Sequence, residues 1–189
     1  MTKFFKNLYR LLSIGSPLFI ILNYIRNFLP NYKTKKKSKK IENMIYKKFQ
    51  SENFNEKWFC NNLYYLSTNF KNSKNVKNIL EIGSYEGRSA IFFLKNFSES
   101  NITCVDTWAG SDEHNSVNFK LIEKNFDFNT SFYQSNNNLI KYKMTSNEFF
   151  KENHRYFDLI YVDGDHSSDQ VKIDLINSWN VLKNGGFLV

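Results

Sequence analysis

The segment Asn78-Ile-Leu-Glu-Ile-Gly-Ser-Tyr-Glu-Gly-Arg-Ser89 constrains the fold more than any other part of the chain. It reads as a short buried strand, a tight glycine turn and the first turn of a helix. Ile79, Leu80 and Ile82 supply the apolar run of a parallel strand covered on both faces. Gly83 permits the sharp turn, and Gly87 removes a Cβ where the helix start must approach the strand or a ligand. Ala90, Phe93, Leu94 and Phe97 then recur at helical spacing. A helix N-terminus leaving the end of a parallel strand is a ready site for an anionic group. Gly-x-x-x-Gly alone is a weak signal. Glu81 before the first glycine, Ser89 after the second and an acid further on make it specific.

That acid is Asp106, which ends a second strand, Asn101-Ile-Thr-Cys-Val-Asp106, about twenty residues past the turn. A carboxylate there accepts hydrogen bonds from two ribose hydroxyls of an adenosine-containing ligand. The competing reading is a solvated turn Asp, and the glycine turn at the expected distance favours the ligand.

With 189 residues the chain suits one full core, and an aromatic content of 17% supplies the material to bury. The net charge of +8 misleads as a whole-chain figure. Residues 1–40 hold ten Lys/Arg and no acid, which leaves 16 basic against 18 acidic residues in the remainder. Basicity belongs to an arm, so a nucleic-acid partner for the globular part is not expected. Cys60 and Cys104 form neither a metal pattern nor a disulfide framework. They read as buried reduced thiols, which suits a cytoplasmic location.

Three regions follow: a basic amphipathic arm (1–40), a helical lead-in cap (41–77) and the main domain (78–189). In the arm, Phe4, Leu8, Leu11, Leu18, Leu22, Ile25 and Leu29 form an apolar row. The run Pro17–Leu22 is too short to span a bilayer, and Gly15-Ser-Pro17 breaks or kinks a helix. An apolar segment followed by the Lys33–Lys40 cluster can rest peripherally on an anionic membrane surface. Equally, it can pack on the domain or a partner, with a solvated linker behind it. In the cap, Trp58, Phe59, Leu63, Leu66 and Phe70 share related faces and should cover the sheet.

Beyond Asp106, Trp108 can stack on a base or wall a pocket, and His114 lies in a polar loop. A short helix near Val117–Phe126 and an Asn-rich connection precede a third strand at Leu139–Met144. Thr145 and Ser146 stand at the carboxyl end of that strand, followed by a helix over Asn147–Asn153. Phe157–Asp163 is a fourth strand ending on an acid, with Gly164-Asp165-His166 as its turn. Ser167-x-x-Gln170 reads as a capping box for a helix that buries Val171, Leu175, Trp179 and Leu182. Asn184-Gly185-Gly186 turns the chain into Phe187–Val189, the opening of a fifth strand.

Together these residues resemble the class I S-adenosylmethionine-dependent methyltransferases, and within them the methyltransferase domain 24 family. Glu81–Ser89, Cys104–Trp108 with Gly110–His114, and Tyr161–His166 match its pattern in order, and Phe54–Phe59 is similar to its lead-in. The resemblance covers about residues 50–189. It implies an α/β fold, a doubly wound, mostly parallel, Rossmann-like sheet with the methyl donor at the carboxyl ends of the first strands. By that likeness Gly83, Ser84 and Gly87 line the methionine end of S-adenosylmethionine, Ser89 holds its carboxylate, and Glu81 faces its ammonium directly or through water. Asp106 takes the ribose, while Trp108, Thr145 and Ser146 border the adenine. Catechol-type relatives resemble the pair Asp163 and His166, which implies Asp163 as a Mg²⁺ ligand and His166 as the base that activates a hydroxyl. The implied acceptor is a small hydroxylated molecule or sugar precursor. In such relatives the fifth strand runs on into acids that complete the metal site, and two further strands follow. Here the last strands are missing; of a gene fragment and a truncated form, a fragment is the expectation. Two alternatives compete: a non-catalytic donor-binding scaffold, and an NAD-dependent oxidoreductase, disfavoured because Gly-x-Gly-x-x-Gly is absent.

Overall fold

The computed structural model describes residues 34–44, 54, 58–70, 73, 75–110 and 118–189. Five parallel strands form one sheet in the order β3-β2-β1-β4-β5. The strands are β1 (Asn78–Ile82), β2 (Asn101–Asp106), β3 (Leu139–Lys143), β4 (Phe157–Val162) and β5 (Leu182–Leu188). Helical residues 34–44 (α1), a 3₁₀ turn at Trp58–Asn61 and α2 (Leu63–Asn69) precede the sheet. Helices α3 (Arg88–Asn96), α4 (Phe119–Ser135), α5 (Ser146–Glu152) and α6 (Ser168–Val181) connect the strands. Strand order reverses between β1 and β4, and a crevice opens at such a reversal beyond the carboxyl ends of the strands.

Alternation along each strand feeds two cores. On one face Ile79, Ile102 and Leu159 pack with Phe59, Leu63, Leu66 and Phe70 of the cap and with Phe92 and Phe93 of α3. Rings meet closely there: Phe59 lies edge-on 5.4 Å from Phe92, and Phe93 lies tilted 5.3 Å from Tyr161. On the other face Leu80, Ile82, Val105 and Ile160 pack with Phe149 and Phe157. The doubly wound sheet is as expected, Phe59, Leu63, Leu66 and Phe70 lie against one face of it, and both cysteines are buried and free. The side chain of Trp58, His114 and residues 1–33 of the arm lie outside the described residues.

Four local expectations are corrected. The connection expected after Phe126 is helical through Ser135, because Asn125 and Asn129 turn inward and hydrogen-bond Glu86. The capping box expected at Ser167 does not form. Gln170 instead donates to Ser146 Oγ and Asp174 Oδ1, while Ser167 N–H goes to Asp165. Helix α6 is rotated relative to expectation: Leu175 and Trp179 are exposed (40% and 69%), and Asp174 and Ser178 are buried. Lastly, β5 begins at Leu182, directly after α6, and bulges over Lys183–Gly186 before Phe187 pairs with Leu159.

The lysine cluster is not a free linker where it is described. Residues 34–44 are helical, and Ser38 is buried where its Oγ accepts the Tyr64 N–H of α2. Lys37 lies 4.5 Å from the Tyr64 ring centroid and donates to its hydroxyl. The boundary drawn at residue 40 falls inside this helix.

Candidate active site

A cleft of about 610 Å³ opens over the carboxyl ends of β1–β4, within the size range of small-ligand sites. Gly83, Ser84, Ser89, Asp106, Trp108, Thr145, Ser146, Asp163 and His166 all line it. Two expected residues do not. Glu81 lies fully enclosed beneath the floor, and Gly87 is used for packing, since a Cβ there would stand 2.7 Å from Thr130 Cγ2 of α4.

Gly83 joins the two halves of the site. Its φ is +84°, and an added Cβ would fall 2.2 Å from the Asp163 carbonyl oxygen. Only glycine lets the β1 turn lie against the β4 turn in this way. Asp106 fastens the same turn from the other side. Its Oδ2 accepts the N–H groups of Ser84 and Tyr85, and its Oδ1 accepts that of Trp108. Three of about four carboxylate lone-pair sites are thereby used, which leaves one for a ligand hydroxyl. The Trp108 indole is buried, donates to the Tyr85 carbonyl and tilts against Phe126 at 4.8 Å. It walls the cleft and holds the turn.

Glu81 sits on β1 between Cys104 of β2 and Tyr161 of β4. Cys104 Sγ donates to its Oε2 at 3.4 Å, and burial pushes its carboxyl up to about 7. Its Oε1 and the Ser84 Oγ above are enclosed and have no hydrogen-bond partner. A cationic or hydrogen-donating ligand group would satisfy both.

On the opposite rim the Tyr161 hydroxyl donates to Asp163 Oδ2 at 2.9 Å, and Asp163 Oδ1 stands 4.0 Å from His166 Nε2. Burial and the Asp163 charge push the Tyr161 phenol well above its ordinary value, so it remains a donor. No three His, Cys, Asp or Glu side chains converge on a metal-sized space among the described residues. Among the described residues, the oxygen-rich donor set expected around Asp163 for Mg²⁺ does not assemble.

Thr145 closes α5 as an N-cap. Its hydroxyl accepts from Glu148 N–H while Glu148 reaches back to Thr145 N–H. The pattern Thr145-x-x-Glu148 is the local sequence signature of such a cap. Other lining residues absent from the sequence expectation are Glu86, Asn147, Gln170 and Asp174. Gln170 and Asp174, four apart on a helix, share a face by spacing alone. Tyr161 and Asp163, two apart at a strand end, could likewise have been paired.

The model of a known family, described as a methyltransferase domain, matches residues 80–189. The chain belongs to the methyltransferase domain 24 family. It is thus a methyltransferase of the class I, S-adenosylmethionine-dependent type. No curated protein sequence matches it. Among solved structures it is similar to a protein from Staphylococcus aureus described as a candidate caffeoyl-CoA O-methyltransferase. That likeness has a TM-score of 0.56 at 20% identity, covering 82% of this chain and 70% of that one. A protein from Klebsiella pneumoniae described as a candidate O-methyltransferase gives a TM-score of 0.50 at 15% identity, covering 66% and 51%. At such identities the likeness establishes the fold. The unpartnered atoms at Glu81 and Ser84 and the cleft volume fit the methionine end of the donor.

Proposed function

We propose that this methyltransferase transfers a methyl group from S-adenosylmethionine to a hydroxyl of a small molecule or sugar precursor. The observation that carries the reading is the enclosed Glu81 carboxylate, with Oε1 unpartnered beneath an equally unpartnered Ser84 Oγ. Such a site favours an ammonium, and its charge would draw the carboxyl back toward its ionised form. The glycine turn and Ser89 hold the amino-acid end. The remaining lone pair of Asp106 takes a ribose hydroxyl, and Trp108, Thr145 and Ser146 border the base.

When bound, S-adenosylmethionine supplies a sulfonium methyl to an oxygen positioned in line with its carbon–sulfur bond. His166, on the rim, receives the hydroxyl proton at Nδ1. Asp163 faces the other ring nitrogen, is held by Tyr161, and stabilises the imidazolium that results. The hydroxyl acceptor rests on analogy with the two neighbours described as O-methyltransferases.

Incubation of the full chain with methyl-labelled donor and a panel of phenolic and sugar hydroxyls tests this reading. Labelled ether should form and should fall by a factor of at least about 100 in His166→Ala, the usual scale of general-base loss. Label found on amine acceptors alone, or an unaffected His166→Ala, would overturn the acceptor and the base.

A further inference from the structure

A second hollow, of about 450 Å³, lies at the opposite edge of the sheet, where the strands begin, and shares no lining residue with the active cleft. The shortness of α5 leaves room for it. That helix has seven residues and is about 10 Å long, whereas the five residues of β3 run about 17 Å. Phe149 of α5 meets Tyr142 in the second half of β3, and Ile140 near the strand's start stays 38% exposed. Ile79, Ile140 and Phe157 give the hollow an apolar floor, beside which the Tyr156 ring stands 60% exposed. Around them are the amides of Asn78, Asn101 and Asn137 and the cations Arg155 and Lys183, with no Asp or Glu among the described lining residues. Lys183 is already committed, its Nζ lying 2.9 Å from Asp158 Oδ1. Arg155 is not: among the described residues its guanidinium meets no carboxylate. Its backbone is nevertheless fixed, because the Asn153 side chain accepts its N–H and donates to its carbonyl. Asn101 Oδ1 accepts from Asn138 at 3.3 Å, which leaves the Asn101 amide donors unspent. The Asn78 and Asn137 side chains make no hydrogen bond among the described residues.

We propose that this hollow binds an anionic sugar, a hydroxylated ring that carries a phosphate or a carboxylate. The site stands apart from the methyl-donor reading and does not rest on it. A guanidinium without a carboxylate partner presents a planar fork that matches two oxygens of either anion. Amides with unspent donors and acceptors suit ring hydroxyls, each of which both donates and accepts. The Tyr156 ring and the isoleucine floor cover the carbon face of the sugar, so that a few polar groups over an apolar surface fix its orientation. A neutral sugar leaves the guanidinium unpaired, and a bare inorganic anion leaves the amides and the ring unused, so both are weaker ligands. A nucleic-acid strand also offers sugar and phosphate, but one free cation neutralises too little of its charge.

The probes are glucose 1-phosphate, glucuronate, glucose and inorganic phosphate, each titrated calorimetrically into the full chain. At least one of the two acidic sugars should bind about tenfold or more tighter than glucose and inorganic phosphate, and which one does identifies the anionic group. Arg155 is exposed, so Arg155→Gln should fold as wild type does. That variant should lose about tenfold or more for the acidic sugar and leave glucose unchanged, while Tyr156→Ala should weaken both sugars. His166→Ala, at the other end of the strands, should leave the acidic sugar's affinity as it was. Binding that survives Arg155→Gln and is lost in His166→Ala would put the sugar in the active cleft and overturn the proposal. Absence of binding, or equal affinity for glucose and the acidic sugars, would overturn it as well.

Discussion

At the residue scale, Glu81 ties folding, donor binding and pH together. Its carboxyl is pushed up to about 7 by burial, against an ordinary value near 4.5. The folded state therefore holds a proton that the unfolded chain has released across that interval. The contribution to stability is fully present below about pH 4.5 and is lost as pH rises through about 7. It amounts to roughly 3 kcal/mol. Melting curves of wild type and Glu81→Gln from pH 4 to 8 should diverge, with the variant gaining relative to wild type as pH rises. Parallel curves would show that the buried carboxyl titrates normally. Because a ligand ammonium favours the ionised form, donor-product binding should release a proton near pH 7. Calorimetry in buffers of different ionisation enthalpy would detect that release. Gly83 makes the complementary steric point: at φ +84°, with a neighbouring carbonyl 2.2 Å from the would-be Cβ, Gly83→Ala should destabilise by about 3 kcal/mol. A thermal shift below about 2 °C would contradict that close approach.

At the scale of elements, the strands were the most legible part of the sequence. Asn78–Ile82, Asn101–Asp106 and Phe157–Val162 are short, apolar and bounded by turns, and burial on both faces leaves such runs little alternative. Nine of the eleven expected site residues line one cleft, and Glu81 lies directly beneath it, because parallel strands bring their carboxyl ends to one edge. Helix faces were harder to read. The orientation of α6 depends on Asp174 and Gln170 finding polar partners on α5, which spacing within α6 does not reveal. The inward Asn side chains of α4 were hidden for the same reason, since their partner Glu86 lies far away in sequence. Tertiary hydrogen bonding outweighed local composition in both cases. The Thr145 cap is a purely local feature, and Thr145→Ala should cost about 1 kcal/mol by chemical denaturation. An unchanged midpoint would mean that α5 is held by Phe149 packing alone.

Across the whole molecule, charge is segregated. The lysines of α1 stand on a helix fastened to α2 through Ser38 and Tyr64, and the lead-in beside it contributes Phe59 and Asn62 to the cleft. Among the described residues no helix is long and apolar enough to cross a membrane. Lys35, Lys36, Lys39 and Lys40 are exposed and suit peripheral contact with anionic lipid, at about 1 kcal/mol per lysine. Replacing these four by Glu should lower co-sedimentation with phosphatidylserine vesicles at least tenfold, and equal partitioning would dismiss the contact. The methyl-transfer assignments all depend on the donor pocket. The most direct test is calorimetric titration of the full chain with S-adenosylhomocysteine at pH 8, with NAD as the control. Saturable one-to-one binding of the former and no heat with the latter is the expected result. Binding of NAD, or no binding of S-adenosylhomocysteine, would contradict the assignment of the cleft.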